Sequence, residues 1–301
     1  MKFIIAILLL VSSAKAKEIA LSFDDAPGET TLHFTPDQRT DELIRKLKEL
    51  KVPPTIIFAN PCNGSGPKSN LAQLTKFKNA GHIIGNHTCS HPRFDVVGPE
   101  RYSADTLKAE SIIGSLMGEP KYFRYPFFNE GKDIASRDQF RKWLDEHKYQ
   151  NVSSSLENED PFFSNRINEA KKQNKKIDYE KIKAIFLKHI IEGVEFYDKL
   201  AIETLGRSPK HIILLHDKDA TVLFIDDLVH ELQKRGWTFI DAAEAAKDPL
   251  YSMKPHNVLS TYGILAQFAY EKSGSFKPYY DFAQLERELN AALGLKAMKN
   301  P

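Results

Sequence analysis

Asp24-Asp25, His87 and His91, Arg124 and His216 are the residues of this 301-residue chain whose types and spacing can carry chemistry. His87 and His91 stand four apart, a spacing that brings two imidazoles to one ion on a helical turn or a tight loop. Asp25 would complete a set of two histidines and one carboxylate, with a position left for water. Three protein ligands and an open position make a hydrolytic site rather than a structural one. Zinc is the default ion, with Co2+, Ni2+ or Mn2+ also suited to mixed nitrogen and oxygen donors. Adjacent carboxylates at a strand end point to opposite sides, so Asp24 can face the substrate water while Asp25 ligates. The plainer alternatives are a pair of turn acids and two hydrogen-bonded structural histidines.

Arg124 is flanked by Tyr122, Phe123, Tyr125, Phe127 and Phe128, which argues against an ordinary solvated arginine. His216 closes the most apolar of the expected strands and suits a general acid if a carboxylate holds it. Asp217 and, further off, Asp160 are the candidate partners; a merely hydrogen-bonded histidine is the alternative. Cys62 and Cys89 can form one disulfide in an exported protein, remain free buried thiols, or place Cys89 on the metal.

Strands must position these groups. Apolar, β-branched or aromatic runs predict strands at 19–23, 55–59, 82–85, 121–125, 149–155, 211–215 and 237–240. Helical periodicity fills the intervals at 40–50, 69–80, 104–117, 140–147, 177–205 and 224–235, with a break expected at Asp160-Pro161. Alternating strands and helices imply an α/β barrel or an open parallel sheet, with functional groups at the carboxyl ends of the strands. Every chemical segment above lies at such an end. Residues 61–68 form a flexible loop at that face, and Lys171 to Lys176 a solvated basic patch. The tail carries helical segments at 264–270 and 282–293.

The amino terminus predicts a cleaved signal peptide over 1–16. Lys2 precedes the apolar run Phe3 to Val11, and Ala14-Lys15-Ala16 has the small-x-small pattern. Nine apolar residues are too few for a bilayer core of about 30 Å, so no transmembrane anchor is expected after cleavage. The protein would then be exported, to periplasm, cell surface or medium. The chain has 42 Lys and Arg against 40 Asp and Glu, and losing Lys2 and Lys15 evens them at 40 each. A neutral protein gives no electrostatic case for nucleic acid.

In order, Asp-Asp, His-Thr-x-x-His, Arg-x-Pro-Phe and Leu-Leu-His resemble the motifs of the polysaccharide deacetylase family (NodB-homology, carbohydrate esterase family 4), over residues 18 to 245. The resemblance implies a distorted (β/α)7 barrel, placing the catalytic domain at 17–250; the strand pattern stops near 250, which leaves 251–301 as a helical C-terminal extension. It also implies removal of N- or O-acetyl groups from an acetylated glycan. Asp24 would be the base, with Asp25, His87 and His91 the ligands. Arg124 would orient the base, the Phe127 N–H would bind the oxyanion, and His216 would be the acid with Asp160 as its partner. The chain departs from the pattern at Ala26, where glycine is usual, at the bulky Phe128, and at a fourth motif without its tryptophan. An insert over 160–205 adds to this. Two other functions compete: hydrolysis of a small amide or imide on the same fold, and a secreted, catalytically silent glycan-binding module.

Overall fold

The computed structural model describes residues 17–64, 66–259 and 261–296, so the expected signal peptide lies outside the described residues. Strands and helices follow as β1 (Lys17–Ala26), α1 (Pro36–Glu49), β2 (Ile56–Ala59), α2 (Pro67–Asn79), β3 (Ile83–Asn86), α3 (Phe94–Ile113), β4 (Lys121–Phe123), α4 (Ile134–Glu146), β5 (Tyr149–Asn151), α5 (Asp160–Lys172), α6 (Tyr179–Leu205), β6 (His211–His216), α7 (Asp219–Lys234), β7 (Trp237–Phe239), α8 (Ala242–Ala245), α9 (Ile264–Ser273) and α10 (Phe282–Leu293). Local chemistry sets the ends of several helices. Thr35 and Gln38 form a capping box ahead of α1 with Pro36 in its first turn. Asp178 caps α6, which runs to a left-handed Gly206.

The sheet has seven strands in the order β5-β4-β3-β2-β1-β6, with β7 paired to the start of β1. All the pairings are parallel. β1 and β6 are buried apolar runs, as parallel strands covered on both faces must be. The sheet curls until the segment after β5 meets β6: Leu156 bridges Ile213, and the Leu214 N–H donates to Leu156 O at 3.0 Å. A short segment in place of a full strand makes the (β/α)7 barrel distorted.

The strand expected to run from Tyr149 to Ser155 therefore stops at Asn151, because its continuation leaves β4 for β6. Asp160-Pro161 is not a break; it opens α5, where proline at a first helical turn costs no hydrogen bond. α3 starts at Phe94, ten residues before its periodicity is clear, since Gly98 (φ 75°) and Pro99 interrupt the pattern with a kink.

Both tail helices form. Ile264 and Leu265 of α9, and Leu285, Leu289 and Leu293 of α10, belong to the same apolar core as the barrel. A second, aromatic core of Phe94, Tyr102, Phe123, Tyr125, Phe140 and Tyr149 lies around β4. No described helix is long and apolar enough to cross a membrane.

Candidate active site

Asp24 and Asp25 end β1, but simple alternation does not hold there. The β1–β2 register shifts between Phe23 and Ala26, and Asp25 adopts φ 61°. That left-handed residue turns its carboxylate back toward the side that Asp24 faces. Asp24 Oδ2 lies 3.5 Å from His87 Nε2, and Asp25 Oδ1 lies 3.2 Å from His91 Nε2 and 4.0 Å from His87 Nε2. The two acids share one site instead of pointing apart.

His87 and His91 lie on the loop after β3. The loop is pinned from several sides: Asn60 Nδ2 donates to Thr88 O (3.1 Å), and Asp105 Oδ2 accepts from the N–H groups of Cys89 (2.8 Å) and Ser90 (2.9 Å). Thr88 and His91 both have positive φ, so the spacing of four is realised as a tight loop and not as a helical turn. His87 Nδ1–H donates to Arg124 O at 2.7 Å, which fixes the tautomer and leaves Nε2 a lone pair aimed at the acids. Burial pushes both imidazoles down to about 4, so they are neutral at neutral pH. Burial alone would raise the Asp25 carboxyl, but His216, His91, Lys218 and His87 hold it well below the usual range.

Asp25, His87 and His91 offer three ligand atoms within 4.8 Å of one another. Asp25 Oδ1 is buried and has no hydrogen-bond partner. A buried orphan acceptor beside two unprotonated ring nitrogens is a donor set that fits a divalent cation. Asp25 Oδ2 faces Lys218 Nζ at 3.6 Å, which turns the other oxygen toward the histidines.

Arg124, at the end of β4, is fully buried. Its Nη1 donates to Asp24 Oδ1 (2.6 Å) and Ser22 Oγ (2.8 Å), and its Nε donates to Val152 O (2.9 Å). The guanidinium also lies 4.0 Å from the Phe58 ring centre. Phe58 in turn occupies space left by Gly85, where a Cβ would meet its ring at 2.8 Å. Burial pushes the Asp24 carboxyl up, and the Arg124 charge opposes that rise.

On the other side, Asp160 Oδ1 accepts from His216 Nδ1–H at 2.8 Å. Asp160 Oδ2 accepts from the His216 N–H (2.9 Å) and from Thr221 Oγ1 (2.6 Å). Burial works against the charged ring, but the Asp160 carboxylate outweighs it and raises His216 to about 9. Asp217 is not the partner: its Oδ2 accepts from the Gly28 N–H at 2.9 Å, tying the loop after β1 to the end of β6.

Phe127 follows in a 3₁₀ turn at φ 57°, its ring 4.4 Å from that of His91 and 45% exposed. Cys62 and Cys89 are paired, their Cα atoms 4.9 Å apart, which leaves Cys89 unavailable to a metal. Sequence reasoning missed Ser22, Asn60, Asp105 and Lys218. Ser22 was accessible in principle, since it shares the face of Asp24 by strand alternation. Asp105 lies in mid-helix with nothing local to link it to the histidine loop.

Residues 12–151 match the family model "Polysaccharide deacetylase". A peptidoglycan-N-acetylglucosamine deacetylase of Bacillus cereus is 32% identical over 144 residues, 48% of this chain and 46% of that protein. A chitin deacetylase of Arthroderma benhamiae is 23% identical over 77% of this chain and 52% of its own length. The chain thus spans about half the length of these two curated relatives. Among solved structures, a polysaccharide deacetylase from Bacillus cereus superposes with a TM-score of 0.52 at 19% identity, over 75% of this chain and 91% of that one. A pseudoenzyme of carbohydrate esterase family 4 from Bacillus anthracis gives 0.52 at 16%, over 76% and 65%. These two share the fold, and fold alone does not separate an enzyme from a pseudoenzyme. Residues 12–151 thus resemble the polysaccharide deacetylase family, and the chain shares the fold of its solved members.

Proposed function

We propose that the protein is a metal-dependent hydrolase that removes acetyl groups from a polysaccharide or oligosaccharide. One observation carries the reading: a three-donor cation set lies between a carboxylate fixed by a buried arginine and a histidine fixed by a buried aspartate. A divalent ion held by Asp25, His87 and His91 would supply Lewis-acid polarisation of the acyl carbonyl and acidify water. Asp24 takes the proton of the attacking water through Oδ2, since Oδ1 is occupied by Arg124. The Phe127 N–H donates to the oxyanion that develops on the former carbonyl oxygen. His216, held charged at neutral pH by Asp160, gives its Nε2 proton to the departing amine or alcohol. The Cys62–Cys89 pair and the expected signal peptide both suit a glycan substrate outside the cytoplasm.

Retention of every acid, ligand and orienting group at contact distance argues against a silent module. The test is acetate release from N-acetylated chitooligosaccharides, peptidoglycan fragments and a small acetyl ester, with metal content measured on the same preparation. Release that a chelator abolishes and zinc or cobalt restores is the expected outcome. Bound metal without acetate release would move the reading to a small amide or imide. Neither metal nor release would leave a binding module.

A further inference from the structure

Residues 157–160 run as a strap whose members face two ways. Asn158 Nδ2 donates to Leu214 O of β6 at 2.6 Å, and Asn158 Oδ1 accepts from the Asp160 N–H at 2.9 Å. Asp160 carries His216. Glu157 and Glu159 face away from β6, toward the tail. The Glu159 carboxylate accepts from Tyr280 Oη, and its N–H donates to His189 Nε2 at 3.2 Å. Tyr279 Oη, 2.9 Å from the same nitrogen, closes the group. Glu157 is packed against Tyr197 of α6 and the Gly263 backbone at the start of α9.

The tail docks by shape at one defined place. Gly193 of α6 lacks the Cβ that would meet the Tyr279 ring at 2.7 Å. Tyr279 and Tyr280 can therefore lie on the helix and reach over it to the strap. Both glutamates are pushed up by burial, Glu157 to about 8, and they meet hydroxyl and amide donors where a structural ion pair would place a cation. A buried acid left with so few partners holds its place only while those partners stay.

We propose that the segment before α10 positions the acid of the reaction: Tyr280, through Glu159, sets the strap that presents Asp160 to His216. The inference rests on the proposed role of His216. Tyr280 touches no substrate and is a positioning residue.

The test uses Tyr280→Phe, which removes one hydroxyl, and Gly193→Ala, which displaces Tyr279 from α6 without touching the strap. Each full-length variant is assayed on an acetamide substrate and on p-nitrophenyl acetate. An amine must be protonated to leave, while p-nitrophenolate leaves unaided, so a misplaced acid harms only the first reaction. Outer-shell partners are worth about 10–100-fold, so kcat on the amide should fall by at least about tenfold. KM, metal content and kcat on the activated ester should hold, with His216→Ala giving the same pattern more strongly. Equal losses on both substrates, or no loss on either, would overturn the inference. If the wild-type protein releases acetate from neither substrate, the deacetylase reading fails separately. The NMR signal of the His216 Nδ1 proton then decides: faster exchange in both variants supports the positioning role, and an unchanged signal overturns it.

Discussion

The two flanks of the site are built differently. Asp24, Asp25, His87, His91 and Arg124 come from the ends of β1, β3 and β4. Short loops fix them, pinned by neighbours such as Asn60, Asp105 and Val152. His216 depends on Asp160, 56 residues away, and on a strap supported by α6 and the tail. The first flank is assembled from consecutive strand ends, as barrels ordinarily do. The second is assembled from long-range contacts made by parts of the chain outside the residues that the family model matches. The family model ends at residue 151, between the two. The proposed base and the proposed acid are thus held by different parts of one barrel.

Substitutions should separate the flanks. The largest effect is expected at His87→Ala, where metal no longer co-purifies and acetate release falls by several orders of magnitude; metal retained at wild-type stoichiometry would contradict the ligand set. Asp24→Asn should cost about 10²–10⁴-fold in kcat with metal still bound, read by elemental analysis beside steady-state rates.

Arg124→Leu leaves Asp24 buried without its partner and should destabilise the fold by about 3–5 kcal/mol in urea unfolding. His216 has a folded value near 9, above the ordinary value of about 6.5. Its contribution, about 3 kcal/mol in metal-free protein, is complete below pH ~6.5 and is lost as pH rises through 9. The stability gap to His216→Gln should therefore shrink from pH 6 to 10, and a constant gap would refute the pairing. Smallest is Lys218→Met, which frees Asp25 Oδ2 and should weaken metal about tenfold in chelator competition, with Lys218→Arg retaining more.

The first flank was legible because its residues follow strands in short, recognisable motifs. What sequence could not convey was conformation: the positive φ of Asp25 reverses the alternation that an extended strand predicts. On the second flank, Asp160-Pro161 reads as a break in the sequence, and only the packing of α5 shows that it starts a helix. Asp217 looked the nearer partner of His216 because adjacency in sequence is visible. The fold sends it to Gly28 instead. Both tail helices were visible from periodicity, but which residues they support was not, since contacts across 90 or 121 positions leave no local trace.

Gly85 gives Asp24, the proposed base, a mechanical linkage to a residue with no chemistry of its own. A single added methyl group there would press on Phe58, and Phe58 lies against the guanidinium that holds Asp24. In a random library, Gly85→Ala would score as a loss of turnover with every polar group intact. A screen that watches only titratable residues would file it as unexplained, although the displaced volume travels through one ring to the Arg124–Asp24 pair.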